Sequence, residues 1–97
     1  MPTLTQAEAE RLADTLEGWT LEERSLVKRF VFGGFPQAVE FVTRLVPGAE
    51  AADHHPDIAI HYTRVTLTYT THSAGGLTVK DFAGAAMADL VSAARAE

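Results

Sequence analysis

Near the start of the chain apolar side chains recur every three or four residues. Ala9, Leu12, Ala13 and Leu16 fall on one face, and this spacing predicts a helix within residues 4–19. Thr5 at its head, with Glu8 three residues on, has capping-box spacing, and Gly18 suits the position just past its end. The period then drops to two. Trp19 and Leu21, then Leu26, Phe30 and Phe32, alternate on either side of Glu22-Glu23-Arg24, as two strands around a polar turn would. A helical stripe returns within residues 33–52, formed by Phe35, Ala38, Phe41, Val42 and Leu45. Pro36 fits the first turn of this helix, and Pro47 is expected to end or kink it.

Residues 57–72 are rich in β-branched and aromatic side chains and read as strand. Ile58, Ile60 and Tyr62 have even parity, whereas Val65, Leu67 and Tyr69 have odd parity. One straight strand would turn these sets to opposite faces, so a tight turn or bulge near Thr63 is expected, making a second hairpin. Residues 74–96 read as a loop and a last helix. Its expected buried face is Val79, Phe82, Ala83, Ala86 and Leu90, and Thr78 and Asp81 have capping-box spacing. The order α-β-β-α-β-β-α predicts an α+β fold: a four-stranded antiparallel sheet with three helices on one face. The other face is expected to be open or to pair with another subunit.

Composition acts mainly by exclusion. A length of 97 residues fits one domain over 1–97. Thirteen acids against 8 bases give a net charge of −5, so charge offers no reason to expect nucleic acid or an anionic membrane as partner. Without cysteine there is no disulfide, thiolate nucleophile or thiolate metal ligand. No apolar run is long enough to span a bilayer, and the first residues lack the basic and apolar regions of a secretory signal. A soluble, cytoplasmic protein is expected.

The candidate chemistry lies in "GAEAADHHPDIAIHY", residues 48–62, where His54 and His55 are framed by Glu50, Asp53 and Asp57. A metal site, an acid–base site and a polar loop are all open readings. Pro56 pushes His55 toward extended geometry, and adjacent side chains of an extended chain point apart, which disfavours a simple two-histidine chelate. His72 weighs against the plain loop. His55 lies eight positions before Thr63 and His72 nine after it, so antiparallel pairing about that turn brings His54, His55 and His72 to one end of the hairpin. Imidazoles there, with Glu50 at the end of the preceding helix, suit proton transfer near neutral pH. His61, at the other end, is read as exposed and unrelated. Asp81 is read as a helix cap ahead of a catalytic acid.

The spacing Glu50, three residues, His54-His55-Pro56, five residues, Tyr62, nine residues, His72, eight residues, Asp81 resembles the pterin-4a-carbinolamine dehydratases. "TTHSAGGLT", residues 70–78, is similar to that family's "THxxxGLT" segment. The resemblance implies an α+β fold pairing through its sheet into homodimers, sometimes homotetramers. It implies a hydro-lyase that dehydrates 4a-hydroxytetrahydropterin to quinonoid dihydropterin, with no metal and no bound cofactor, recycling the pterin of aromatic amino-acid hydroxylases. The catalytic histidines would be His54, His55 and His72. Glu50 would be the acid near the pocket, and Thr71 and Ser73 would line the pterin site. Ile58 stands where many members have an aromatic residue, and Ile60 where many have a polar one, so pterin preference is expected to differ. Other proteins of this fold are interaction modules, a dimerisation cofactor or assembly factors, which is the competing expectation.

Overall fold

The computed structural model describes residues 3–94. The chain runs α1 (Gln6–Ala13), β1 (Thr20–Glu22), β2 (Ser25–Val31), α2 (Phe35–Ala52), β3 (Asp57–His61), β4 (Arg64–Tyr69), a 3₁₀ turn (His72–Ala74) and α3 (Val79–Ala94). The strands form one antiparallel sheet in the order β1-β2-β4-β3. This is the α+β architecture that the patterning predicted. The expected extension of the last helix to Ala96 lies outside the described residues.

The capping box forms as the spacing predicts. Thr5 Oγ1 accepts from Glu8 N–H at 3.1 Å, and Glu8 Oε1 accepts from Thr5 N–H at 2.8 Å. The helix nevertheless stops at Ala13, well before Gly18. Thr15 donates its hydroxyl to Leu12 O at 2.6 Å, and Thr15 and Leu16 N–H make three-residue bonds instead of helical ones. Gly18, at φ 89°, then turns the chain into β1.

Both hairpins have two-residue loops, Glu23-Arg24 and Tyr62-Thr63. Glu23 and Tyr62 take positive φ, 55° and 58°. The second loop resolves the parity conflict. Ile58 pairs with Leu67 and Ile60 with Val65, so the even and odd sets share the helix-covered face. β3 is an edge strand, and Ile58 and Ile60 stay 42% and 37% exposed.

α2 passes through Pro47 without ending. Pro47 is exposed, so the lost backbone bond falls on the solvent side. The buried stripe is Ala38, Phe41, Leu45 and Ala49, whereas Phe35 is half exposed. Phe41 packs against Phe30 and Phe32 with ring centroids 4.8 and 5.0 Å apart, which seats α2 on β2.

α3 differs most from expectation. Val79, Ala83, Ala86 and Leu90 face outward, Val79 at 54% and Leu90 at 72% exposure, and of the predicted face only Phe82 is buried. The inward face is Asp81, Phe82, Ala85 and Ala88. Alanines lie all around this helix, so apolar period alone does not orient it. Two carboxylates do. Asp81 answers buried donors at one end. At the other, Asp89 accepts from Trp19 Nε1 at 3.1 and 3.2 Å and from Lys28 Nζ at 2.9 Å.

Two glycines permit the close approach of α3. A Cβ at Gly48 would overlap Met87 Sδ, and one at Gly84 would stand 2.5 Å from Tyr69 Cε1. Alanine at position 84 would gain about 1 kcal/mol of helix propensity. Overpacking against a fully buried ring costs about 1–3 kcal/mol and is expected to prevail. Gly84→Ala should therefore lower Tm in a thermal melt; a raised Tm would contradict this packing.

Candidate active site

The C-terminus of α2 sets the geometry of the histidine pair. Asp53 ends the helix in a left-handed conformation, φ 52° and ψ 44°, and the chain leaves extended toward Pro56. The two imidazoles then diverge, as the proline predicted. His55 Nε2 lies 2.6 Å from Glu50 Oε2, one turn back on α2, and both side chains are largely exposed. His54 turns inward: its Nε2 lies 2.6 Å from Asp81 Oδ1, and its ring stacks on Tyr69 at 6.1 Å and 25°.

Asp81 is fully buried and saturated. Its Oδ2 accepts from Thr78 N–H at 2.9 Å and from Thr71 Oγ1 at 2.8 Å, while Oδ1 faces His54. The Thr71 hydroxyl proton goes to Asp81, so Thr78 Oγ1 donates to Thr71 Oγ1 at 2.9 Å, and it accepts from Lys80 N–H at 3.2 Å. The carboxylate therefore caps α3 and holds His54 at once. The cap is the one that the spacing of Asp81 from Thr78 predicts, and the contact with His54 comes in addition to it. Only the place of Asp81 in the family motif signalled anything more. With Asp81 ionised, the short bond needs a proton on His54 Nε2, which leaves Nδ1 as the basic nitrogen.

His72 opens the 3₁₀ turn directly after Thr71 instead of ending the strand, and its side chain is exposed, as is that of Ser73. The β3–β4 register, Asp57 opposite Thr68, carries His54, His55 and the Thr71–Ser73 segment to one end of the sheet. Among the described residues no hydrogen bond or ring contact joins His72 to either of the other two. The link runs through the chain: His54 to Asp81, Asp81 to Thr71, Thr71 to its neighbour. Thr71 is buried and its hydroxyl is spent on this link. Beside His55, an apolar recess of about 120 Å³ is lined by Val42, Val46, Pro56 and Ile58 among others. Among the described residues no three His, Asp or Glu side chains converge as metal ligands. No helix among them is long and apolar enough to cross a membrane.

Tyr69 supports His54 from below. It is almost wholly buried, and burial, helped by the Asp81 charge, pushes its hydroxyl up to about 12. The unfolded chain would lose this proton near pH 10, two units earlier. The folded state thus holds the proton more tightly, and its stabilisation is full below pH 10 and lost as pH rises through 12. About 2–3 kcal/mol is at stake. Denaturant melts should show stability falling between pH 10 and 12, and Tyr69→Phe should flatten that fall.

The sequence profile described as pterin 4 alpha carbinolamine dehydratase matches residues 2–91. A Chloroflexus aurantiacus protein provisionally assigned as a pterin-4-alpha-carbinolamine dehydratase is 54% identical over 90 residues, 92% of this chain and 96% of its own. A Nostoc punctiforme protein with the same provisional assignment is 53% identical over 79 residues, 81% of this chain and 85% of its own. Among solved structures, a transcriptional coactivator/pterin dehydratase from Brucella melitensis superimposes with TM-score 0.89 at 30% identity. The match covers 93% of this chain and 98% of that one. A pterin dehydratase-like protein identified as a RuBisCO assembly factor in the alpha-carboxysome gives TM-score 0.62 at 28% identity, over 76% and 86% of the two chains.

Proposed function

Because this chain belongs to the pterin 4 alpha carbinolamine dehydratase family, we propose that it converts 4a-hydroxytetrahydropterin to quinonoid dihydropterin and water. The single observation that carries this reading is the buried Asp81, which fixes His54 at 2.6 Å at the sheet end where His55 and His72 also lie. In the reaction a proton is delivered to the C4a hydroxyl, which departs as water. The N5 proton is removed, and its electron pair forms the N5=C4a double bond. One acid and one base suffice, and no electron acceptor is needed. His54 and His72 divide these two roles. His55, paired with Glu50, orients the pterin, with Ser73 beside His72 at the rim. Thr71 acts through Asp81. Ile58, in the recess beside His55, offers an aliphatic wall in place of an aromatic one, which disfavours stacking and tunes pterin preference. The active protein is a homodimer or homotetramer, with the exposed edge strand β3 available to extend the sheet into a second copy. It works in the cytoplasm on a free pterin.

The two solved relatives, a transcriptional coactivator/pterin dehydratase and a pterin dehydratase-like RuBisCO assembly factor, favour one rival, an interaction module on the same fold. A direct assay decides: added protein should accelerate carbinolamine loss over the buffer rate. A dihydropterin at 100 times its Kd should also stabilise the native state by about 2.7 kcal/mol, raising Tm. No acceleration together with no thermal shift would leave the interaction module as the reading.

A further inference from the structure

Three of the four histidines are absorbed by the proposed reaction; His61 is not. It ends β3 on the sheet face turned away from the helices, where its register partner is Arg64 on β4. One row along that face, Arg29 on β2 pairs with Thr66 on β4, which pairs in turn with Ala59 on β3. Arg29, His61, Arg64 and Thr66 line an open depression of about 310 Å³. Two of these side chains are permanent cations, one is a titratable base and one is a hydroxyl, and no carboxylate lines the depression. Among the described residues neither guanidinium nor His61 has an ion-pair partner, although the chain carries 13 acids against 8 bases. The one carboxylate on this face of β3, Asp57, lies at the opposite end of the strand.

Directly opposed side chains in an antiparallel pair stand about 5 Å apart and diagonal ones about 7–8 Å, so the three basic groups converge within the span of one polyoxygen anion. Like charges so placed repel, and a bound anion would offset that repulsion. We propose that this patch binds a phosphate ester, the phosphoryl group seated between Arg29 and Arg64 and bonded by Thr66 Oγ1, with His61 at the rim. A carboxylate has two oxygens and satisfies one guanidinium fork. A phosphate monoester has three terminal oxygens and nearly two charges, which suits two forks and a hydroxyl. The depression exceeds the volume of a phosphoryl group alone and leaves room for the small molecule that carries it. The net charge of −5 disfavours an extended polyanion. Pairing of two copies along β3 would leave Arg64, one strand in, and Arg29, two strands in, on an uncovered face. The site does not depend on the dehydratase reading.

The test is titration of ¹⁵N-labelled full-length protein with inorganic phosphate and with ribose 5-phosphate at constant ionic strength. Saturable amide shifts are expected at Arg29, His61, Arg64 and Thr66, with ribose 5-phosphate binding at least as tightly as phosphate. Arg29→Gln and Arg64→Gln, both at exposed positions, should melt like the parent and weaken binding about tenfold or more. His61→Gln should weaken it more at pH 6 than at pH 8, because imidazole is the side chain whose charge changes across that range; the charged groups sharing its sheet face on β2, β3 and β4 are Arg29, Arg64 and Asp57. The proposal is overturned if sodium chloride reproduces the shifts, if acetate binds as tightly as phosphate, or if the arginine variants bind unchanged. A DNA duplex binding more tightly than ribose 5-phosphate would overturn it in favour of a nucleic-acid surface.

Discussion

His54→Ala and His72→Ala, made separately, are each expected to slow carbinolamine dehydration by about 10²–10⁴, the usual worth of a well-placed general acid or base. The two should differ in their side effects. His54 is packed between Asp81 and the Tyr69 ring, so its loss also empties a largely buried position and should lower Tm. His72 is exposed and makes no side-chain bond among the described residues, so His72→Ala should melt like the parent. A folded His72→Ala protein with near-parental rate would remove His72 from the mechanism. Parental rates in both variants would remove the acid–base reading altogether. His55→Ala should mainly raise KM if His55 orients the pterin.

Asp81 variants should separate holding the fold from holding the imidazole. Asp81→Ala strands the Thr78 N–H and the Thr71 hydroxyl inside the protein, at about 1–3 kcal/mol each. A total on the order of 3 kcal/mol would lower Tm by roughly 12 °C or more in a domain of this size. Asp81→Asn can keep its carbonyl oxygen on those two donors, turning its amide N–H toward His54 Nε2. The imidazole must then accept at Nε2 and carry its proton on Nδ1, the reverse of the tautomer that an ionised Asp81 imposes, so Nδ1 is no longer the basic nitrogen. The Asn variant should therefore retain most of its stability and lose about 10²-fold or more in kcat. Equal loss of stability in both variants would make Asp81 a cap and nothing else, and a fully active Asn variant would show that the tautomer is irrelevant.

The hairpins were legible because their signals are local. The parity switch between Ile60 and Val65 demanded a turn, and the turn is there. The capping box at Thr5 and Glu8 is equally local. The end of α1 was not, because Thr15 redirects the backbone through a side-chain bond that competes with a helical pattern. The face of α3 failed for a different reason. Apolar spacing predicts burial, yet the residues that orient this helix are Asp81 and Asp89, polar groups with partners beyond the helix: Thr71 and His54 for Asp81, Trp19 and Lys28 for Asp89. The same blindness affected the site. Proline geometry and residue counting brought the histidines to one sheet end, but nothing local revealed that His54 points inward to a carboxylate and His55 outward to another.

The Thr78 amide carries a consequence of its own. It is held by the same carboxylate oxygen that Thr71 shares, across from the one on His54. Fraying of the first turn of α3 therefore releases this amide and unlatches the imidazole in a single event. Hydrogen–deuterium exchange at Thr78 would then measure the free energy that separates a poised site from a slack one, with no substrate present. Across point variants of α3, Thr78 protection and turnover should rise and fall together.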